Sequence, residues 1–415
     1  MNNSKNSHTA HSTIKDSLSD EFLFLITCCK TKPSKDDISF ILSFINTIDL
    51  NFNSLIELAI AHRIIPLVYK SLNKLHMDEI IKKEKQSIKF LFVNLKSLYL
   101  QIAKQNMLMS AELIHTIKLL KKNDIKALVL KGPVLSQMAY GDITLRHFGD
   151  LDILVDEKDL FKAATTITSN NYIPDVELDY FKNKALLDVS SDLGLRHTKK
   201  HTYIELHWKL FRKNLFVTLD GLNVKSNPTI IKIQDKELET LQSELLLVYL
   251  CSHGSKHMWE RIQWIVDVDR LIKNIDDINW DTVWLYAKET HSINTLLLGL
   301  SLNKELFGTN LPSTIEEKIE KRKNIYLLKI HTLKLLNKKP AEHSSKISSM
   351  YKKFDYHLKL YDSFTDKAKY CFSYIFKITP DDVLNINLPK HLHFLYFIIR
   401  PFRLGIKHIS NLKNK

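Results

Sequence analysis

Between Ile125 and Trp208 the chain changes texture, and that change limits the folds open to it. Short apolar runs separated by polar turns (KALVLKG, DLDILV, NNYIPDV and HTYIELHW) read as strands. On either side, apolar residues recur at three- and four-residue spacing, as in Leu91, Leu95, Leu98 and Ile102 before this island and MWERIQWIVDVDRLIKN after it. That spacing is the signature of helices. The expected architecture is a small mixed α/β unit of roughly 85 to 100 residues between helical regions, α+β overall and mostly helical. The boundaries read as a disordered tail over 1–18, a helical region over 19–122, the α/β core over 123–236, a helical region over 237–312 and a basic helical region over 313–415.

Within the amino-terminal helical region, Pro33 and Pro66 read as breaks, with Asp36 and Asn53 as caps near helix starts. Inside the island, helices are expected from Pro133 to Tyr140, ended by Gly141, and from Glu157 to Ser169. Helical periodicity is expected to resume after Glu237 with LETLQSELLLVYLCSHG.

The chemistry concentrates in Ala127 to Val155. Lys131 and Gly132 follow a buried strand, and Pro133 suits the first turn of a helix, where a missing amide proton costs nothing. Lys131 and Gly132 then sit at a helix amino terminus. There, free amides and the helix dipole attract anions, and glycine lets a phosphate approach the backbone. Asp150 and Asp152 follow on the next strand; if Gly149 to Val155 is extended, both carboxylates face the same way. Such a pair repels unless a cation sits between its members, which suits a hard divalent ion. Arg146 precedes them, where its guanidinium can clamp a phosphate. Glu205 is the best third acid: in Tyr203 to Trp208 it shares a face with Tyr203 and His207, and an acid in a strand fit for burial needs a cation or metal.

Four segments in this order, LKGPVL, the arginine-bearing lead-in to GDLDILV, IELHW, and LVYLCSHGSKHMWERIQWIVDVDRLI, resemble the DNA polymerase beta-like nucleotidyltransferase superfamily, and within it the group of uncharacterised nucleotidyltransferases. The resemblance covers about Ile125 to Lys273. It implies a nucleotidyltransferase α/β core and a magnesium-dependent transfer (manganese as the alternative ion) of a nucleoside monophosphate from a nucleoside triphosphate to an acceptor, with release of pyrophosphate. Asp150, Asp152 and Glu205 would be the catalytic and metal-binding residues. Lys131, Gly132, Arg146 and Lys256 would contact the nucleotide, and the helical region after the core would close over it. One departure is plain: where the superfamily commonly has serine after glycine, this chain has Pro133. The acceptor is open among small molecule, glycan, protein and RNA. A non-catalytic binding module of the same fold and a toxin-like enzyme acting on RNA or protein are the alternative readings.

Other signals narrow the field. No GxxxxGK[ST] loop or GxGxxG turn occurs, which argues against P-loop kinases and dinucleotide enzymes. His253 and His257 lie four apart, a spacing used by zinc sites, but Gly254 and the lack of a neighbouring glutamate count against zinc. His197, His201 and His207 keep no ligand rhythm and read as core or surface residues. Trp259, Trp264, Trp280 and Trp284 read as core. The four cysteines form no CxxC pair, and no apolar run is long enough to be a signal core or a membrane span, so a reduced, cytoplasmic protein is expected. From Ser301 to Lys415 there are 22 Lys and Arg against 10 Asp and Glu, a net +12 within a total of +14. That basic region suits weak contact with anionic surfaces, and the closing HFLYFIIRPFRLGIKHISNLKNK suits either a membrane face or a final packed helix.

Overall fold

A computed structural model describes residues 18–46, 51–75, 86–182, 184–210, 227–275, 277–338, 346–386 and 388–413. Residues 1–17 of the expected tail lie outside this set.

The amino-terminal helices start where polar side chains satisfy free amides. Helix Lys35–Ile45 is capped by Ser34, whose Oγ accepts from Asp37 N while the Asp37 carboxylate accepts from Ser34 N, a reciprocal capping box. Helix Phe52–Ala61 is capped by Asn51. Each cap lies two residues before the expected Asp36 and Asn53, because a cap must stay outside the helix to reach the amide three residues on. Pro66 opens helix Ile65–Lys74 rather than ending one.

Helix α1, Gln86–Lys122, is the spine of the molecule. Its first half, with Ile88, Leu91 and Leu95, enters the core built by the flanking helices. Its second half, with Met109, Leu113 and Leu120, packs on the sheet.

The sheet has five strands: β1 Ala127–Val129, β2 Leu151–Val155, β3 Tyr172–Pro174, β4 Asp192–His197 and β5 Tyr203–His207, in the order β1-β2-β5-β4-β3. Only β2 and β5 run parallel; the other neighbours are antiparallel. Every residue of β2 is buried, as expected of a central strand with parallel pairing. Helix α2, Gly132–Tyr140, follows β1 and ends at Gly141 in the left-handed conformation, as the sequence suggests. The expected helix from Glu157 begins as a short 3-10 turn and becomes α-helical over Leu160–Thr168.

Three strands depart from the sequence reading. β4 (DLGLRH) is hidden by its glycine and charges. Gly194 is there because a Cβ would collide with Tyr203 and Asp175. A hairpin of β6 Thr229–Ile233 and β7 Lys236–Thr240 turns through Gln234 and Asp235, both at positive φ. The stretch after Glu237 is therefore strand up to Thr240, with Leu238 and Thr240 buried in alternation, and the boundary drawn at 236 cuts through the hairpin.

Helices α3 Ser243–Lys256, α4 Ile262–Asn274 and α5 Ile293–Phe307 then build the larger apolar core. The link from α3 to α4 is tight. Met258 and Trp259 both have φ of +53°, and the Trp259 ring is fully buried over Gly254 and Gly299. A Cβ on Gly254 would lie 2.5 Å from the ring, and one on Gly299 would lie 2.7 Å from Cys251 Sγ. The indole Nε1 donates to Ser255 Oγ at 3.2 Å, so the ring cannot slide away. Gly254→Ala should therefore lower stability by about 1–3 kcal/mol. Gly405, in helix Tyr396–Lys413, has nothing within 4 Å of its Cβ position, so Gly405→Ala should not destabilise. Urea midpoints of the two variants check both statements; equal midpoints would refute the tight slot.

At the carboxy end, Val383 and Tyr396 are buried in the sheet-side core. Among the described residues no helix is long and apolar enough to cross a membrane.

Candidate active site

The site grows from the β1-β2-β5 register. Leu130 N donates to Asp152 O at 3.0 Å, which carries the ladder one residue past β1 and places Lys131 beside Asp152. Lys131 Nζ is 3.1 Å from Asp152 Oδ1. Parallel pairing sets Asp152 opposite Glu205, and Leu154 opposite His207. His207 Nε2 lies 3.2 Å from Asp152 Oδ1 and 3.5 Å from Glu205 Oε2. One ligand atom from each of Asp152, Glu205 and His207 falls within 4.8 Å of the others, so the three could hold a metal ion.

The fit to a cation rests on Asp152. Its Oδ2 is buried and has no hydrogen-bond partner among the described residues. A buried carboxylate oxygen left unmatched is costly. Two carboxylates and one imidazole are a donor set that a hard or borderline divalent ion accepts.

Charge already organises the cluster. Burial alone would raise the Asp152 pKa, but the Lys131 ammonium and the His207 hydrogen bond hold it well below the usual carboxylate range. Burial would likewise lower Lys131, yet Asp152 holds it raised. Burial would lower His207, but its ring N–H donating to the Asp152 and Glu205 carboxylates outweighs this and pushes it up to about 9. Asp150 is raised, by burial first and then by the charge on Asp152, with Lys131 and Arg63 opposing.

Asp150 precedes β2 by one residue and lines the same cleft, outside the group of three that could hold a metal ion. Gly132 starts α2 at φ +60°, where a side chain would be strained, and the position of its absent Cβ is 3.6 Å from Asp150 O. Lys131, at the amino cap of α2, also lies over the Tyr249 ring at 5.9 Å.

The loop between α2 and β2 is pinned from two sides. Asn106 of α1 donates to Ile143 O and Arg146 O, both at 2.8 Å, and Gln263 of α4 donates to His147 O at 2.7 Å. Arg146 reaches the cleft, but its fork is engaged: Nε is 2.8 Å and Nη2 3.0 Å from the two oxygens of buried Asp267, which also accepts from Tyr140 Oη at 2.6 Å. Lys256, the last residue of α3, lines the cleft.

These walls enclose a cleft of about 310 Å3. His253, His257 and Trp264 form one part of it, with ring centroids of the two histidines 4.8 Å apart and Trp264 against both. Trp264 is thus a partly exposed wall of the cleft, while Trp259 is core. His207, which the sequence suggests as core or surface, is buried and lies in the cluster that could hold a metal ion. The available signal was its shared strand face with Glu205. Arg63, His147 and Arg261 also line the cleft; Arg261 lies within the HGSKHMWERIQW segment, but no role is assigned to it from the sequence, and Arg63 lies outside every segment that carries the resemblance.

Arg63 arrives through His62. Buried His62 accepts from Ile262 N at its Nδ1 (3.3 Å), so its Nε2 donates to Leu336 O (3.1 Å) and the ring is neutral. Burial lowers its pKa to about 4. The unfolded value is near 6.5. Between these, the unfolded chain binds a proton that the folded one does not, so stability is complete above pH ~6.5 and falls as pH drops towards 4, by up to about 1.4 kcal/mol per unit from this residue. Urea unfolding between pH 7.5 and 4.5 should show a shallower decline in His62→Gln than in the parent. Identical slopes would refute a neutral His62.

Residues 49–308 match the family model described as uncharacterised nucleotidyltransferase. The match spans more than half of the chain, and the protein belongs to that family of nucleotidyltransferases, enzymes that transfer phosphorus-containing groups. It extends beyond the segments that carry the resemblance in both directions and takes in Arg63. No curated protein matches.

Proposed function

We propose that this enzyme moves a nucleoside monophosphate from a nucleoside triphosphate to an acceptor nucleophile, using magnesium, or manganese in its place, at Asp152 and Glu205 with Asp150 and His207 beside them. The observation that carries the reading is the pairing of Asp152 with Glu205 across parallel strands, with one buried Asp152 oxygen left unmatched, inside a cleft that Lys131, Arg146 and Lys256 also line. The bound ion would polarise the α-phosphate and offset charge on the oxygens in motion.

The chain's own residues do the rest. Glu205 faces the cleft, with a side chain one-third exposed, and takes the acceptor proton as the acceptor oxygen bonds to the α-phosphorus. The bond from the α-phosphorus to the bridging oxygen breaks, and pyrophosphate leaves with that electron pair. Lys131 and the amide end of α2 receive the phosphates. Arg146, tied to Asp267, fixes the loop that delivers Asp150, and Lys256 adds charge from the end of α3. Pro133 at the second position of α2 leaves Lys131 and Gly132 in place, so its effect falls on the missing serine contacts alone.

The test is to incubate the protein and magnesium with each of the four α-labelled nucleoside triphosphates and cell extract. Label should pass to an acceptor with release of pyrophosphate, and Glu205→Gln should stop it. No transfer or pyrophosphate release from any nucleotide would count against the proposal.

A further inference from the structure

Two arginines from segments almost 200 residues apart meet in the cleft wall. Arg63 sits in the turn between helices Phe52–Ala61 and Ile65–Lys74, and Arg261 immediately precedes α4. His62 joins the two segments: Ile262 N donates to its ring, and Gln263 N donates to its carbonyl at 3.4 Å. Arg63 itself is held at φ +57°, a left-handed conformation unusual for a non-glycine residue. Strain of this kind persists where the surrounding structure over-determines it, and it clusters at ligand sites.

Neither guanidinium has a carboxylate at ion-pair distance among the described residues. The Arg261 guanidinium lies over the Trp264 ring, 5.1 Å from its centroid. Burial depresses Arg63, repulsion from Arg261 and Arg146 adds to this, and Asp150 is the one acid that opposes it. Like charges gathered in a partly buried wall favour binding of an anion between them.

We infer that Arg63 and Arg261 form the subsite that binds the terminal phosphates of the nucleotide, the part that departs as pyrophosphate. This rests on the transfer reading above and adds a segment outside the α/β core to the site. The side of the cleft decides between the two sources of phosphate. Attacking and leaving oxygens lie roughly in line in phosphoryl transfer. An acceptor activated by Glu205 therefore leaves the opposite side to pyrophosphate. Glu205 stands on β5, whereas Arg63 and Arg261 enter the cleft from the helices that flank the sheet. Cations placed there stabilise the charge that grows on the leaving group.

The experiment is calorimetry with magnesium and three probes: inorganic pyrophosphate, a non-hydrolysable nucleoside triphosphate, and the matching monophosphate. It compares the parent with Arg63→Gly and Arg261→Gln. Arg63→Gly removes the side chain and relieves the positive φ, so a stability loss cannot account for weaker binding if melting temperatures hold. The expected result is a fall of roughly 10- to 100-fold in pyrophosphate and triphosphate affinity with the monophosphate unchanged. Unchanged affinities in both folded variants would overturn the subsite, as would an equal loss for all three probes. Unchanged triphosphate binding together with weaker use of a phosphorylated acceptor would move the arginines to the acceptor side, and also overturn it. Failure of the parent to bind any triphosphate is a different outcome, and it removes the transfer reading itself.

Discussion

Glu205→Gln is expected to cut nucleotidyl transfer by roughly 10^3-fold or more while leaving the fold intact. The Glu205 side chain is one-third exposed at the cleft edge, so its charge contributes little to stability. Asp152→Asn should abolish transfer as completely but with a cost to the fold, because Asp152 is the partner of Lys131, whose side chain is only 12 % exposed. A buried ammonium without its counter-charge is expensive. The two variants therefore separate chemistry from architecture: both lose activity, and only Asp152→Asn should melt earlier. Initial rates of pyrophosphate release and thermal melts read the two effects. Full activity in Glu205→Gln would remove this residue from the mechanism.

Asp267→Ala carries the largest expected stability effect. Its carboxylate takes both ends of the Arg146 fork and the Tyr140 hydroxyl in a site where Arg146 is 6 % and Asp267 1 % exposed. Removing one side of such a pair leaves an uncompensated buried charge and costs about 3–5 kcal/mol. Arg146→Met combined with Asp267→Leu should recover much of that loss, since apolar replacement of both partners spares the desolvation penalty. A double-mutant cycle in urea should accordingly be strongly non-additive. Additive losses would mean that the pair does not act as a unit. The result also bears on Arg146, which the sequence suggests as a phosphate clamp. A residue committed to Asp267 should affect the shape of the Ile143 to Asp150 loop before it affects nucleotide charge.

The carboxylates were legible because strand alternation is short-range: Asp152 and Glu205 can each be assigned a face from their neighbours. That they stand opposite each other is a property of the parallel register, which no local pattern specifies. His207 shares Glu205's face in the sequence, yet histidine spacing alone gave no reason to make it a ligand. Arg63 was illegible for a deeper reason. Its place depends on His62 bonding to Ile262 and Leu336, contacts 200 and 274 residues away. The missed strands follow the same logic. β4 carries a glycine demanded by Tyr203 and Asp175, and the apolar residues of β7 run into those of α3, so their spacing suggests helix. The helical regions were read correctly in kind because three- and four-residue spacing is local, whereas their caps were displaced by two residues where only the actual hydrogen bonds decide.

The central claim is that Asp152 and Glu205 hold a divalent ion needed for nucleotide chemistry. Manganese titration followed by electron paramagnetic resonance, with and without a non-hydrolysable nucleoside triphosphate, tests it most directly. Manganese should bind the parent protein, bind more tightly once the triphosphate is present, and lose most of that affinity in Asp152→Asn and Glu205→Gln. Manganese binding that is the same in the parent and in both folded variants would contradict it.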